Sequence, residues 1–130
     1  IKINEGTINQ LRDYDNNIDG IIFDSEWYRN FNDPETFYGK ERPVIPIDLI
    51  RECLNHKINF FGCDLPSVDQ SGSKTKSVHN ALLGNNIIIY ESLTNLDQLP
   101  ILSPFEFYGF PLPFIGLDGS PVRAIAKLNK

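Results

Sequence analysis

Three short apolar runs constrain this chain most. Gly20-Ile21-Ile22-Phe23-Asp24, Lys57-Ile58-Asn59-Phe60-Phe61-Gly62 and the stretch from Ile87 to Tyr90 are rich in β-branched and aromatic residues. Each is too short to carry the buried stripe of a helix, so each predicts a buried strand. Between them apolar residues recur at helical spacing. Ile47, Ile50 and Leu54 predict a helix through His56, begun by Pro46, whose missing N–H costs nothing at the first helical position. Val78, Ala81 and Leu82 predict a second helix, closed by Gly84. Strands interleaved with two helices give an α/β class.

The flanking segments add detail to that frame. Residues 1–17 suggest a short strand and then a helical turn around Asn9 to Tyr14. From Tyr28 to Arg42 aromatics mix with Asn, Asp, Pro and Gly, the composition of a long ordered loop packed down by its own rings. Leu93 to Leu99 reads as a turn or short helix before Pro100, and the runs 106–112 and 122–128 as two further strands. Without repeat or linker, the 130 residues predict one domain spanning the whole chain.

Charge and composition remove several classes of function. A net charge of −5, with the 12 Lys and Arg residues scattered, disfavours nucleic acid. No apolar stretch approaches the roughly 20 residues that cross a bilayer, so no membrane span is expected. The two cysteines, Cys53 and Cys63, lie outside any metal-type spacing, and a reduced, cytoplasmic setting is the simpler expectation. The chain opens on Ile1, contains no Met and shows no signal-peptide order, which suggests a piece of something longer. Phosphate-binding glycine loops and Cys-x-x-Cys pairs are absent.

Chemistry-bearing residues are few. His79, on the second helix, and Glu91, just beyond the third strand, are joined by one tight turn, and an imidazole with a carboxylate suits a borderline divalent ion. Two ligands are still too few, and a lone His on a helix is commonly a hydrogen-bonded structural residue. Asp64 lies in a Gly-x-Asp-x-Pro-Ser loop at a strand end, where sheet proteins place chemistry and where Asp also caps backbone. Ser67 has no base beside it in sequence, so no nucleophile is assigned. His56 fits a role at the end of its helix, against the dipole. Arg123, in the Asp118-Gly119-Ser120-Pro121-Val122-Arg123 turn, is suited to a carboxylate partner or a substrate anion.

These segments, in this order, resemble the cyclase family of metal-dependent hydrolases, which includes kynurenine formamidases and isatin hydrolases. Ile21 to Trp27 resembles the family's strand ending in tryptophan. Gly62-Cys63-Asp64-Leu65-Pro66-Ser67-Val68-Asp69 resembles its Gly-x-Asp-Thr-Pro-Ser-x-Asp loop, with Leu65 in place of Thr. His79 followed by Glu91-Ser92-Leu93-Thr94-Asn95-Leu96 resembles its His and Glu-Asn-Leu-x-Asn-Leu pair, with Ser92 in place of Asn. Asp118 to Ala124 resembles the closing Gly-Ser-Pro-Val-Arg-Ala segment. The family's N-terminal His-x-Gly-Thr-His-x-Asp-x-Pro-x-His signature has no counterpart here.

The resemblance implies a swivelling β/β/α fold, a mixed sheet with few helices, lacking its N-terminal part. It implies one or two divalent ions, zinc or manganese, with His79 and Glu91 as ligands, and a small-molecule amide substrate such as an aryl formamide or lactam. Trp27, Asp64, Ser67 and Arg123 are the expected substrate-side residues, and the proton-transfer histidine is expected from the absent half. Partners are then a missing N-terminal half or a second copy of the chain. A non-catalytic relative kept for binding or assembly is the alternative.

Overall fold

A computed structural model describes residues 1–14 and 17–128. Four parallel strands, β1 (Lys2–Ile3), β2 (Gly20–Phe23), β3 (Phe60–Cys63) and β4 (Ile88–Tyr90), lie side by side in chain order. A separate antiparallel hairpin follows, made of β5 (Glu106–Pro111) and β6 (Val122–Lys127). The helices are α1 (Pro34–Phe37), α2 (Ile47–Asn55) and α3 (Ser77–Leu83), with 3-10 turns at Glu5–Leu11, Trp27–Asn30 and Leu96–Gln98.

Sequential strand order has a direct packing consequence. Crossovers of one hand between strands that advance in one direction all fall on the same face of the sheet. Ile21 pairs in register with Phe61 and Phe61 with Ile89, and Phe23 with Cys63. These residues share a core with Leu49, Ile50, Cys53 and Leu82 of the crossover helices. Neighbouring strand positions point the other way. Ile22 forms a second, smaller core with Leu93 and Leu96, flanked by Phe60, Tyr90 and Phe107. The hairpin reaches over this face, its Phe107 ring stacked on Phe60 (centroids 4.8 Å) and edge-on to Tyr90 (5.1 Å). A side chain at Gly109 would overlap the Tyr90 ring, so the missing Cβ lets the hairpin lie close.

Both long helices stop by the same device, although only one was expected to end at a glycine. After α2, Lys57 takes φ +52° while its N–H bonds Leu54 O and Ile58 N–H bonds Cys53 O. After α3, Asn86 takes φ +60°, with Asn86 N–H on Leu83 O and Ile87 N–H on Leu82 O. Each is a left-handed cap that closes the last carbonyls and turns the chain directly into the next strand. Gly84 is right-handed (φ −63°) and serves close approach, since a Cβ there would sit 2.6 Å from Asn80 O. The Lys57 turn also explains why β3 begins at Phe60 and not at Lys57.

The segment read as a loop after Tyr28 holds the short helix α1. Asp33 caps it through Thr36 N–H and Oγ, and Pro34 occupies its first turn. Phe37 is buried beneath Phe31 and Tyr38, both edge-on to it. The first helical turn starts at Glu5, earlier than the spacing indicated, because Asn4 and Thr7 exchange hydrogen bonds there. Both cysteines are free and buried. Among the described residues, no helix is long and apolar enough to cross a membrane.

Candidate metal centre

The site forms where β3, β4 and α3 meet. Leaving β4, Ser92 N–H bonds Leu65 O (2.9 Å) and Leu93 N–H bonds Cys63 O (3.0 Å). These bonds tie the segment after β4 to the loop after β3. Glu91 is thereby held beside residues 66–69, and its Oε1 accepts Val68 N–H at 2.9 Å.

His79 arrives from the other side, in the first turn of α3. Asp69 caps that turn from the preceding loop, accepting Val78 N–H (2.9 Å) and His79 N–H (3.4 Å). A carboxylate belongs there, because the free N–H groups of a helix start favour an anion. The same Asp69 carboxylate lies 2.7 Å from His79 Nδ1. An ionised carboxylate only accepts, so Nδ1 carries the proton, and in the neutral imidazole Nε2 is then the nitrogen with the lone pair. Burial pushes the Asp69 carboxyl up, but the bonds from His79 and Val78 outweigh it and hold the group below the usual carboxylate range. It is therefore ionised at neutral pH.

His79 Nε2 then faces Glu91 Oε1 at 3.5 Å. Two donors at zinc–ligand distances of ~2.0–2.2 Å and a tetrahedral angle stand ~3.3–3.6 Å apart, so this spacing fits two ligands of one ion. The carboxylate behind the imidazole is the usual support of a metal-binding histidine. His79 and Glu91 are both about a quarter to a third exposed, and Asp69 is buried at 7%. Among the described residues, no group of three or more His, Cys, Asp and Glu side chains is placed to hold an ion.

The remaining expected residues are placed differently. Asp64 is fully buried, and its carboxylate accepts Ser25 N–H (3.1 Å), Ser25 Oγ–H (2.8 Å) and Tyr28 N–H (3.1 Å). Its oxygens are occupied by the loop after β2, which leaves no surface for a substrate. Trp27 packs on the main core and donates Nε1–H to Phe37 O. Ser67 is half-buried next to the pair, its Oγ accepting Asp69 N–H at 3.4 Å. Arg123 is exposed on the outer side of the hairpin, opposite Phe110. His56 caps α2 and its Nε2 lies 2.7 Å from Leu11 O, away from the pair. A cleft of about 330 Å³ at the ends of β1 and β2, bordered by Asn4, Asp24 and Pro43, contains neither His79 nor Glu91.

Asp69 is the residue that sequence reasoning left unassigned. It stood within the quoted loop motif, and the available signal was a carboxylate shortly before the turn that starts a histidine-bearing helix.

The chain is 34% identical over 109 residues to a kynurenine formamidase from Geobacillus thermodenitrificans, covering 82% of this chain and 48% of that protein. An isatin hydrolase solved with the product analogue thioisatinate matches with a TM-score of 0.80 and 25% identity, over 100% of this chain and 54% of that one. A potential metal-dependent hydrolase with cyclase activity matches at a TM-score of 0.71 and 21% identity, over 96% of this chain and 57% of that one. No protein-family model matches. The chain thus spans about half the length of the relatives it matches. It is a homologue of kynurenine formamidase and carries about half of the fold of the cyclase-type metal-dependent hydrolases.

Proposed function

We propose that this chain supplies one side of the active site of a metal-dependent hydrolase acting on an aryl formamide or cyclic amide. The observation that carries this reading is the His79 Nε2 to Glu91 Oε1 spacing of 3.5 Å, with Asp69 fixing the imidazole proton on the far nitrogen. A zinc or manganese ion, when bound, supplies the Lewis acidity that polarises the amide carbonyl and acidifies water. His79 and Glu91 would hold such an ion, and Asp69 would keep His79 in the ligating tautomer. Val68 N–H fixes which oxygen of Glu91 faces it.

A hydrolytic site needs at least three protein ligands and an open position. The further ligands and the proton-transfer group are assigned to a missing N-terminal half. The second sheet face, covered only in part by the hairpin, is the surface on which that half would pack. A role as a binding or assembly module is the second reading, favoured by the apolar residues that the hairpin leaves open, Phe110 (58% exposed) and Ile115 (99% exposed) among them.

Titration of the chain with Mn²⁺, followed by paramagnetic broadening of side-chain NMR signals, tests the metal reading. Broadening is expected first at His79 and Glu91, and His79→Ala or Glu91→Gln should weaken it at least tenfold. Uniform broadening over the acidic surface, unchanged in both variants, would refute metal binding at this pair and leave the assembly role.

A further inference from the structure

Arg42 lies outside the motifs that carry the family resemblance, at the end of the aromatic loop and before Pro43. Its Nη2 donates to the backbone carbonyl of Asp69 at 2.7 Å. Its Nε is buried and, among the described residues, has no hydrogen-bond partner. A long flexible side chain would swing outward to satisfy that donor unless a contact at its far end held it in place. The bond to Asp69 O is that contact.

The bond falls on the one short segment that orients both ligands. Val68 donates its N–H to Glu91, and the Asp69 carboxylate accepts from Val78 N–H, His79 N–H and His79 Nδ1. Asp69 N–H is bonded to Ser67 Oγ. The Asp69 carbonyl is the remaining polar group of that residue, and Arg42 takes it. We propose that Arg42 is a positioning residue for the metal pair, clamping the Asp69 peptide so that the carboxylate stays on His79 Nδ1 and leaves Nε2 free to ligate. This rests on the metal-binding reading only for its purpose; the clamp itself is measurable without metal.

The test is the imidazole tautomer in the metal-free 130-residue chain, read from long-range ¹H–¹⁵N spectra at alkaline pH. The two histidines provide an internal contrast. His56 Nε2 faces a carbonyl, which only accepts, and so carries its proton there, whereas His79 carries its proton on Nδ1. In Arg42→Met, and in Arg42→Gln, which fills similar space but cannot reach as far, His79 is expected to lose the Nδ1–H pattern while His56 keeps its own. Zinc affinity should fall roughly 10–100-fold in the same variants. A folded variant that retains the wild-type His79 pattern overturns the proposal. So does simultaneous loss of both histidine patterns in both variants, which would make Arg42 a general stability residue. If the wild-type chain shows the Arg42-dependent tautomer but takes up no zinc, the metal reading fails and the clamp stands.

Discussion

Asp64 and Asp69 lie on one loop, yet the structure uses them in different ways. Asp69 turns toward a helix start and an imidazole, and its bonds hold it ionised. Asp64 turns into the core, where burial raises its pKa despite bonds from Ser25 and Tyr28. It fastens the loop after β2 to the loop after β3. Removing it strands two partly buried N–H donors and opens a small void, each N–H costing up to about 1–3 kcal/mol. Asp64→Ala should therefore lower unfolding free energy by about 2–4 kcal/mol in urea titrations. Asp64→Asn keeps the shape but sets its NH2 against an N–H donor, because both carboxylate oxygens accept from backbone N–H groups, so it should recover only part of that loss. An Asp64→Asn chain as stable as the wild type, with the loss confined to Asp64→Ala, would show that packing at this position, and not hydrogen bonding, matters.

The β5–β6 hairpin separates its two faces by strand alternation. Phe107 and Gly109 face the sheet, where the Phe107 ring meets Phe60 and Tyr90. Tyr108 and Phe110 face outward, at 39% and 58% exposure. Aromatic pairs add roughly 0.5–1.5 kcal/mol beyond the area they bury. Phe107→Ala should accordingly destabilise the chain by about 2 kcal/mol in thermal or chemical unfolding, and Phe110→Ala by under about 0.5 kcal/mol. A larger loss from Phe110→Ala would mean that the outer face is already covered in solution.

At the scale of the molecule, sheet topology and exposed surface point the same way. Four strands in sequential order leave one sheet face to be covered from outside their own crossovers, and the hairpin covers only part of it. On that face Ile88 (57%) remains exposed, and the loop joining β5 to β6 adds Leu112 (51%), Phe114 (49%), Ile115 (99%) and Leu117 (66%). Exposed apolar residues of this kind are expected to mediate association. Sedimentation velocity over a hundredfold concentration range should show association of this chain, and Ile115→Lys with Leu117→Lys should suppress it without lowering the unfolding midpoint. A monomer at every concentration, with no binding of an apolar dye, would show that this face needs no partner.

Much of this was legible in the sequence, because short apolar runs and 3.6-residue periods are local properties. The strands around Ile22, Phe61 and Ile89 and the helices α2 and α3 follow from them directly, and His79 and Glu91 stood out by residue type and order. Local pattern could not say which way each loop carboxylate would turn. That depends on bonds between residues far apart in the chain: Leu93 N–H on Cys63 O, Val68 N–H on Glu91, Tyr28 N–H on Asp64. Only once the parallel register of β3 against β4 is fixed do the segments beyond them meet. The amino-acid order thus determined which elements form and which donors are available, and tertiary packing decided that Asp64 is buried, that Asp69 stands behind the imidazole and that His79 and Glu91 come within 3.5 Å.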